Sequence, residues 1–258
     1  SLAQRTLDEL ARECAEMLKT DYTDDLDTLF LLGGSSGGAR PKVFLPLDGE
    51  DWIVKFPSSH DPRDIGSSEY AIARAAMACG INMPEVHLMP SDHCSGYFAI
   101  KRFDRTQVAD GIRRHHMVSA GGLLETSHRI PNLDYDLLMK LTLRLTDSLD
   151  EVEALYRLMV FNVVVGNRDD HAKNFTYLYR DGRWSLSPAY DLTQNSGMNG
   201  EHATTVGGKG RAIMFEDVVG VGVRAGMGAF RARSIAREIE ETARECLGST
   251  MALPGLGA

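Results

Sequence analysis

Cysteine is scarce and scattered: Cys14, Cys79, Cys94 and Cys246 are spread through 258 residues with no CxxC and no paired spacing. That argues against both a zinc site and a disulfide framework, and it fits a reducing cytosol. No stretch approaches the roughly 18 to 20 apolar residues of a membrane span, and the opening "SLAQRTLDELARECAEML" is amphipathic and acidic, without the basic start and apolar block of an export signal. A cytoplasmic protein with no membrane partner is expected. Positive charge is in deficit too, leaving a net charge of −8. Binding to nucleic acid rests on neutralising phosphates with Lys and Arg, so no direct nucleic-acid contact is expected. An initiator Met is absent, which leaves two readings open, a fragment trimmed of an upstream segment or a compact form whose upstream part is a separate polypeptide, and no internal repeat is visible.

What is present is ordinary globular composition, 43% hydrophobic and 25% charged, in a length that holds one large domain or two lobes. Residues 3 to 20 carry Leu7, Leu10, Ala11, Cys14, Met17 and Leu18 at helical spacing. "LFLLGGSSGGARPKVFLPL" reads as strand, glycine-rich turn and strand, and "DWIVKFP" as a further strand after a hairpin at Asp48, Gly49 and Glu50. Helical patterning follows over 67–79, with Ser67 as N-cap and Gly80 as stop. "GYFAIKRFD" is a strand running into a charged connector. Beyond about residue 115 helices dominate, at 135–145 and 152–165, followed by a hairpin around Asp181 and Gly182 and a closing helix with Ile235, Ile239, Ala243 and Leu247 inward. Between them, 197–228 is Gly-rich and gives no clear period before "EDVV", so it is expected to be irregular. A strand-rich first part and a helix-rich second part suggest two lobes meeting near 101–110.

Several residues could carry chemistry. In "GGSSGG", residues 33 to 38, backbone N–H groups can converge on an anion. It is neither a Walker A, because Ala39 follows Gly38, nor a GxGxxG, because Ser35 and Ser36 break the pattern. A flexible hairpin tip accounts for it equally well. Lys42 is near enough to serve a phosphate there, or is solvated. Lys55 lies in an apolar strand, where an ammonium needs a partner, and Glu69 in the next helix is the natural one. A strand Lys paired with a helix Glu is how protein kinases hold the phosphates of ATP; the alternative is a Lys snorkelling at the strand edge. The densest cluster is "GNRDDHAKNF", which follows an apolar helix. Kinase catalytic loops place a base Asp five residues before a metal-binding Asn, with a second metal-binding Asp later. Asp169 and Asn174 have that spacing, Asp191 follows in "SPAYDLT", and Asp170, four residues from Asn174, is left to orient or cap. Lys173 is placed to neutralise the transferring phosphoryl group. Against this stands a charged loop that merely caps the preceding helix. His115 and His116, adjacent, have poor spacing for a metal, and "DYTDDLD" lacks the Gly and terminal Glu of an EF-hand.

Taken in order, "GGSSGGARPKVFL", "WIVKFP", "SSEYAIARAAMACGINMP", "FAIKRFDR", "FNVVVGNRDDHAKNF" and "LSPAYDLT" resemble the HipA-like serine/threonine kinases, toxin components of bacterial toxin–antitoxin pairs. The resemblance spans roughly 32–193. It implies an α+β, two-lobed protein-kinase-like fold related to lipid kinases, with a strand-rich N-lobe over 1–104 and a helical C-lobe over 105–258. It implies ATP and Mg²⁺ as cofactors, Asp169 as catalytic base, Asn174 and Asp191 as Mg²⁺ ligands, and His171 and Lys173 within the catalytic loop. On the nucleotide side it implies the glycine-rich loop with Ser35, Ser36, Gly37 and Gly38, the phosphate contacts Lys42 and Lys55 with Glu69, and a hinge of Lys101, Arg102, Phe103 and the ribose-contacting Asp104. Some members autophosphorylate a serine of that loop; Ser35 aligns with it, Ser36 being the alternate. Implied partners are a protein substrate, an aminoacyl-tRNA synthetase among them, and a helix-turn-helix antitoxin of the HipB type. Family members carry a further N-terminal subdomain, of which only one helix is represented here. A small-molecule kinase of similar design and a nucleotide-binding pseudokinase are the competing readings.

Overall fold

The computed structural model describes residues 6–17, 40–125, 133–248 and 253. Residues 33–38, with Ser35, Ser36, Gly37 and Gly38, lie outside the described residues. The chain divides into two compact units, Ser1–Tyr70 with Pro84–Arg102, and Ala71–Met83 with Phe103–Ala258.

In the first unit, helix α1 (Leu7–Met17) starts with a reciprocal cap: Glu9 Oε2 accepts from the Thr6 N–H at 2.8 Å and Thr6 Oγ1 from the Glu9 N–H at 3.2 Å. Strands β1 (Lys42–Leu47) and β2 (Glu50–Lys55) form the expected hairpin, whose Asp48 and Gly49 both take positive φ. Helix α2 (Ile65–Ala78) starts in the first unit and continues past Tyr70 into the Ala71–Met83 part of the second; β3 (Val86–Met89) and β4 (Tyr97–Lys101) then complete a four-stranded antiparallel sheet in the order β1-β2-β4-β3. Leu10 and Cys14 of α1 join Val43, Trp52, Val54, Phe56, Tyr97 and Ala99 in its core. Ser67 is not the N-cap that the sequence suggests. The Ser68 N–H already reaches the Asp64 carbonyl at 2.9 Å, so the capping position is Asp64 and Ser67 lies inside the helix. Gly80 does close the helix, at φ +73°.

Helix α1 is anchored by one carboxylate. Asp8 accepts from the Tyr97 hydroxyl at 2.6 Å, the Ser91 hydroxyl at 2.7 Å and the Asp92 N–H at 3.1 Å. These donors, Tyr97 first, hold its pKa down at about 2. A group whose folded pKa is depressed stabilises the fold above its unfolded pKa and loses that contribution as the pH falls through the folded value. Between about pH 4 and pH 2, thermal melts should therefore show the unsubstituted chain losing stability that Asp8→Asn does not lose.

In the second unit, after the Ala71–Met83 segment, comes a hairpin of β5 (Arg105–Val108) and β6 (Gly111–Arg114), in place of the connector expected from the sequence. Strand β7 (His116–Ser119) leads through the short helix α3 (Ala120–Leu123) to β8 (Leu133–Asp134), α4 (Tyr135–Thr146) and α5 (Leu149–Val165). Then β9 (Thr176–Arg180) and β10 (Arg183–Leu186) build a sheet in the order β10-β9-β7. The Gly-rich stretch 197–228 is more ordered than its composition suggests: β11 (Thr204–Thr205) pairs in parallel with β8, and α6 (Phe215–Arg224) is a regular helix. Its Gly222 has a packing reason, since a Cβ there would meet the Tyr156 ring at 2.8 Å and Ala232 at 3.0 Å. Helix α7 (Ala229–Leu247) buries Ile235, Ile239 and Ala243 as its spacing predicts. All three helices pack around α5, which is buried on nearly every side.

Candidate active site

Helix α5 sets up the charged loop. Ser148 caps its start, accepting from the Glu151 N–H, and Gly166 ends it in the left-handed conformation at φ 71°, with its N–H directed at the Asn162 and Val163 carbonyls. Asn167 folds back so that its N–H reaches the Asn162 carbonyl at 2.9 Å. The turn is then closed on itself: the His171 N–H donates to the Asp169 carbonyl at 2.9 Å, and the Asn174 N–H to the His171 carbonyl at 2.8 Å, within a single 3-10 turn over Ala172–Asn174.

The two adjacent acids have opposite environments. Asp169 has 56% of its side chain exposed, and His171 Nε2 lies 2.6 Å from its Oδ1. Asp170 is fully buried. Its carboxylate accepts from the Tyr135 hydroxyl at 2.8 Å, the Thr204 N–H at 3.1 Å and His202 Nδ1 at 3.1 Å, while its carbonyl accepts from the Thr204 hydroxyl. Because a carboxylate only accepts, Nδ1 is the protonated nitrogen of His202 in this bond. Behind Tyr135, Asn162 donates to the phenol oxygen at 3.0 Å and accepts from Asn167 at 3.0 Å. Burial, and then the Asp170 charge, hold the Tyr135 phenol well above its usual pKa, so it remains a donor.

Asn174 directs its amide nitrogen to the Asp169 carbonyl at 2.9 Å, which leaves its Oδ1 as the atom able to ligate a cation. Lys173 has an exposed side chain, and its carbonyl accepts from the Tyr190 hydroxyl at 2.7 Å. Tyr190 also meets Thr176 Oγ1 and stacks on Phe103 with ring centroids 5.7 Å apart. Asp191 follows directly, in a left-handed conformation with φ 58°. Tyr190 thus ties "PAYD" to the catalytic-loop candidate.

In the first unit, Lys55 and Lys42 are direct cross-strand partners and share a face of the sheet. Glu69, 2% exposed, binds Lys55 Nζ at 2.5 Å through Oε1 and Arg40 Nη1 at 2.8 Å through Oε2. The Lys–Glu pair expected from the sequence is formed, and Arg40 is an addition to it. Lys101 pairs with Glu50 at 2.8 Å, and Arg102 lies over the Phe44 ring at 4.6 Å. In the second unit the Phe103 carbonyl accepts from the Arg180 guanidinium, and Asp104 meets Arg105 at 3.4 Å.

The family model of the HipA-like C-terminal domain matches residues 34–247. The chain belongs to that family. This HipA-like chain is 32% identical over 156 residues to Y4dM of Sinorhizobium fredii, a match covering 56% of the chain and 37% of Y4dM. It is 23% identical over 189 residues to the serine/threonine-protein kinase toxin HipA of Shewanella oneidensis, covering 61% and 42% respectively. The HipA-like chain therefore spans less than half the length of these two relatives. Among solved structures it is similar to the Shewanella oneidensis complex of HipA, HipB and operator DNA, with a TM-score of 0.68, 17% identity and coverage of 92% of this chain and 63% of that one. It is also similar to the Helicobacter pylori proinflammatory kinase CtkA, with a TM-score of 0.53 and 15% identity over 81% and 90% of the two chains. The fold is an α+β kinase-like fold.

Reasoning from the sequence missed the support of the HipA-like loop: Tyr135, Asn162, Asn167, His202 and Thr204. A signal existed for one of them, since Asn162 is a polar residue inside the apolar run of α5 and needs a buried partner.

Proposed function

We propose that the chain is the catalytic core of an ATP- and Mg²⁺-dependent serine/threonine protein kinase. The observation that carries this reading is the unequal acid pair: an open carboxylate at Asp169 on a turn tied down by the buried Asp170. The donor set suits Mg²⁺, because Asn174 Oδ1 and the Asp191 carboxylate are hard oxygens and few protein ligands are needed when phosphate oxygens and water complete the shell. Bound there, Mg²⁺ supplies positive charge against the phosphate oxygens.

The protein's own residues do the rest. Asp169 takes the proton of the acceptor Ser or Thr hydroxyl, and that oxygen attacks the terminal phosphorus of ATP as the bond to the ADP oxygen breaks. His171 holds one carboxylate oxygen, leaving the other for the proton. Lys173 meets the charge of the phosphoryl group in transfer. Lys55, held by Glu69, and Lys42 beside it bind the ATP phosphates together with the glycine-rich loop at 33–38, whose Ser35, or Ser36, is an autophosphorylation target. Lys101, Arg102, Phe103 and Asp104 serve the adenine and ribose. An aminoacyl-tRNA synthetase or another translation factor in the cytoplasm is the acceptor, and a helix-turn-helix antitoxin of the HipB type is the partner, a reading supported by the kinship with HipA.

The test uses the intact chain with γ-labelled ATP, offered bacterial lysate proteins in one arm and aminoglycosides, sugars and choline-like alcohols in the other. Label should appear on Ser or Thr of protein and vanish when Mg²⁺ is chelated. Label on small alcohols alone overturns the protein-kinase reading, and ATP binding with no transfer to any acceptor makes the chain a pseudokinase.

A further inference from the structure

On a chain with net charge −8, two neighbouring hairpins of the second unit concentrate positive charge. Arg105 is the direct cross-strand partner of Arg114 in β5 and β6, and Arg180 of Arg183 in β9 and β10. Like charges directly opposite on antiparallel strands are destabilising, and of these four only Arg105 has a carboxylate in reach among the described residues, Asp104 at 3.4 Å. The tip of the second hairpin, at Arg180 beside the Asp181–Gly182 turn, meets the root of the first, which the His115–Asp104 backbone bond closes. Arg180 donates to the Phe103 carbonyl, and the His115 N–H donates to the Asp104 carbonyl at 2.8 Å. Partial burial lowers the His115 pKa, and the charges of Arg180 and Arg113 lower it further against the weaker opposing charges of Asp181 and Asp104, which places two cations and two carboxylates around one ring with the cations dominant.

Among the described residues, Arg113, Arg114 and Arg183 form no ion pair. Arg157, Arg224, Arg231, Arg233 and Arg244 of the same unit each sit on a carboxylate. Residues 106–114 are all exposed, and among the described residues no third strand pairs with β5 or β6. A two-stranded hairpin with open edges is marginal on its own in water. The surface also adjoins the loop of Asp169, through Phe103 on Tyr190 and Tyr190 on the Lys173 carbonyl.

We propose that this double hairpin docks an extended acidic segment of the protein that receives the phosphate, an inference that rests on the kinase reading only for the identity of the docked protein. Charge complementarity selects an anion. Open strand edges offer backbone N–H and C=O groups that a polypeptide can match by strand addition, and exposed Val108 and Ile112 at the tip give it apolar contact. A nucleic acid would look for free rings to stack on, but Tyr179 and Trp184 lie against each other at 5.2 Å.

The experiment is fluorescence anisotropy of a labelled short peptide alternating Glu and Ala around one Ser, titrated with the intact chain. Arg113→Glu/Arg114→Glu should weaken binding by about tenfold or more, Arg113→Gln/Arg114→Gln less, and rising salt should weaken the unsubstituted chain alone to the same degree. Circular dichroism checks that both variants fold. In the transfer assay the same substitutions should raise KM for the acidic peptide and leave kcat in place. Equal binding by the Glu variant, equal binding of a Gln–Ala peptide, or tighter binding of a single-stranded oligonucleotide through the same arginines overturns the proposal. Because anisotropy needs no catalysis, a chain that binds the peptide but transfers nothing would sink the kinase reading and keep the docking surface.

Discussion

Asp169→Asn is expected to lower phosphoryl transfer by about 10²- to 10⁴-fold, the range a positioned general base contributes, while nucleotide binding and the melting temperature stay near their original values. The amide has the shape of the carboxylate but no capacity to take the hydroxyl proton. Little else depends on that side chain, since its one partner among the described residues is His171 and the turn is held by the Asp169 carbonyl, which the substitution leaves alone. An exposed site of this kind should change stability by no more than about 0.5 kcal/mol. Single-turnover transfer from labelled ATP is the measurement, with ATP affinity and melting as controls. Transfer at the original rate would remove Asp169 from the role of base.

Asp170→Ala should do the reverse and strike the fold first. Three donors, the Tyr135 hydroxyl, the Thr204 N–H and His202 Nδ1, would face an empty methyl-lined space. Removing one side of a buried charged network costs about 3–5 kcal/mol, which for a unit of this size lowers the melting temperature on the order of 10 °C. Activity falls with it, because the turn loses its attachment. Urea titration with an unchanged m-value and a lowered midpoint is the expected signature. A variant that melts like the original chain would show that the network contributes nothing. The neighbouring substitutions thus separate chemistry from scaffold in adjacent positions.

Much of this architecture is legible in the sequence because it follows local rules. The spacing of Leu7, Leu10, Ala11 and Cys14, the Asp-Gly turns at 48–49 and 181–182, and the apolar run ending at Gly166 each specify their element within a few residues. The hairpin of β5 and β6 escaped because it faces no core, so "RTQV" and "GIRR" carry no alternation; its Asp110–Gly111 was the available clue. Strands of two residues, β8 and β11, are below any period. Side-chain bonds hold them instead: Asp134 accepts from the Thr205 hydroxyl at 2.6 Å and the Gly208 N–H at 2.8 Å. His202 stands alone in a polar stretch, and its partner Asp170 lies 32 positions away, so no local pattern marks it. The same holds for Arg40 and Glu69, separated by 29.

The wiring of Asp170 also sets an order of events during synthesis. Its donors come from Tyr135, 35 positions before it, and Thr204, 34 positions after it. When Asp169 first leaves the ribosome, the acid beside it has only one of its three donors, Tyr135, and contacts of such sequence separation form late. The turn can take its final shape only once residues 202–204 have emerged. A nascent chain that stalls before that point carries Asp169 and Asn174 without the support that aligns them, so the candidate site stays unassembled until that segment is made.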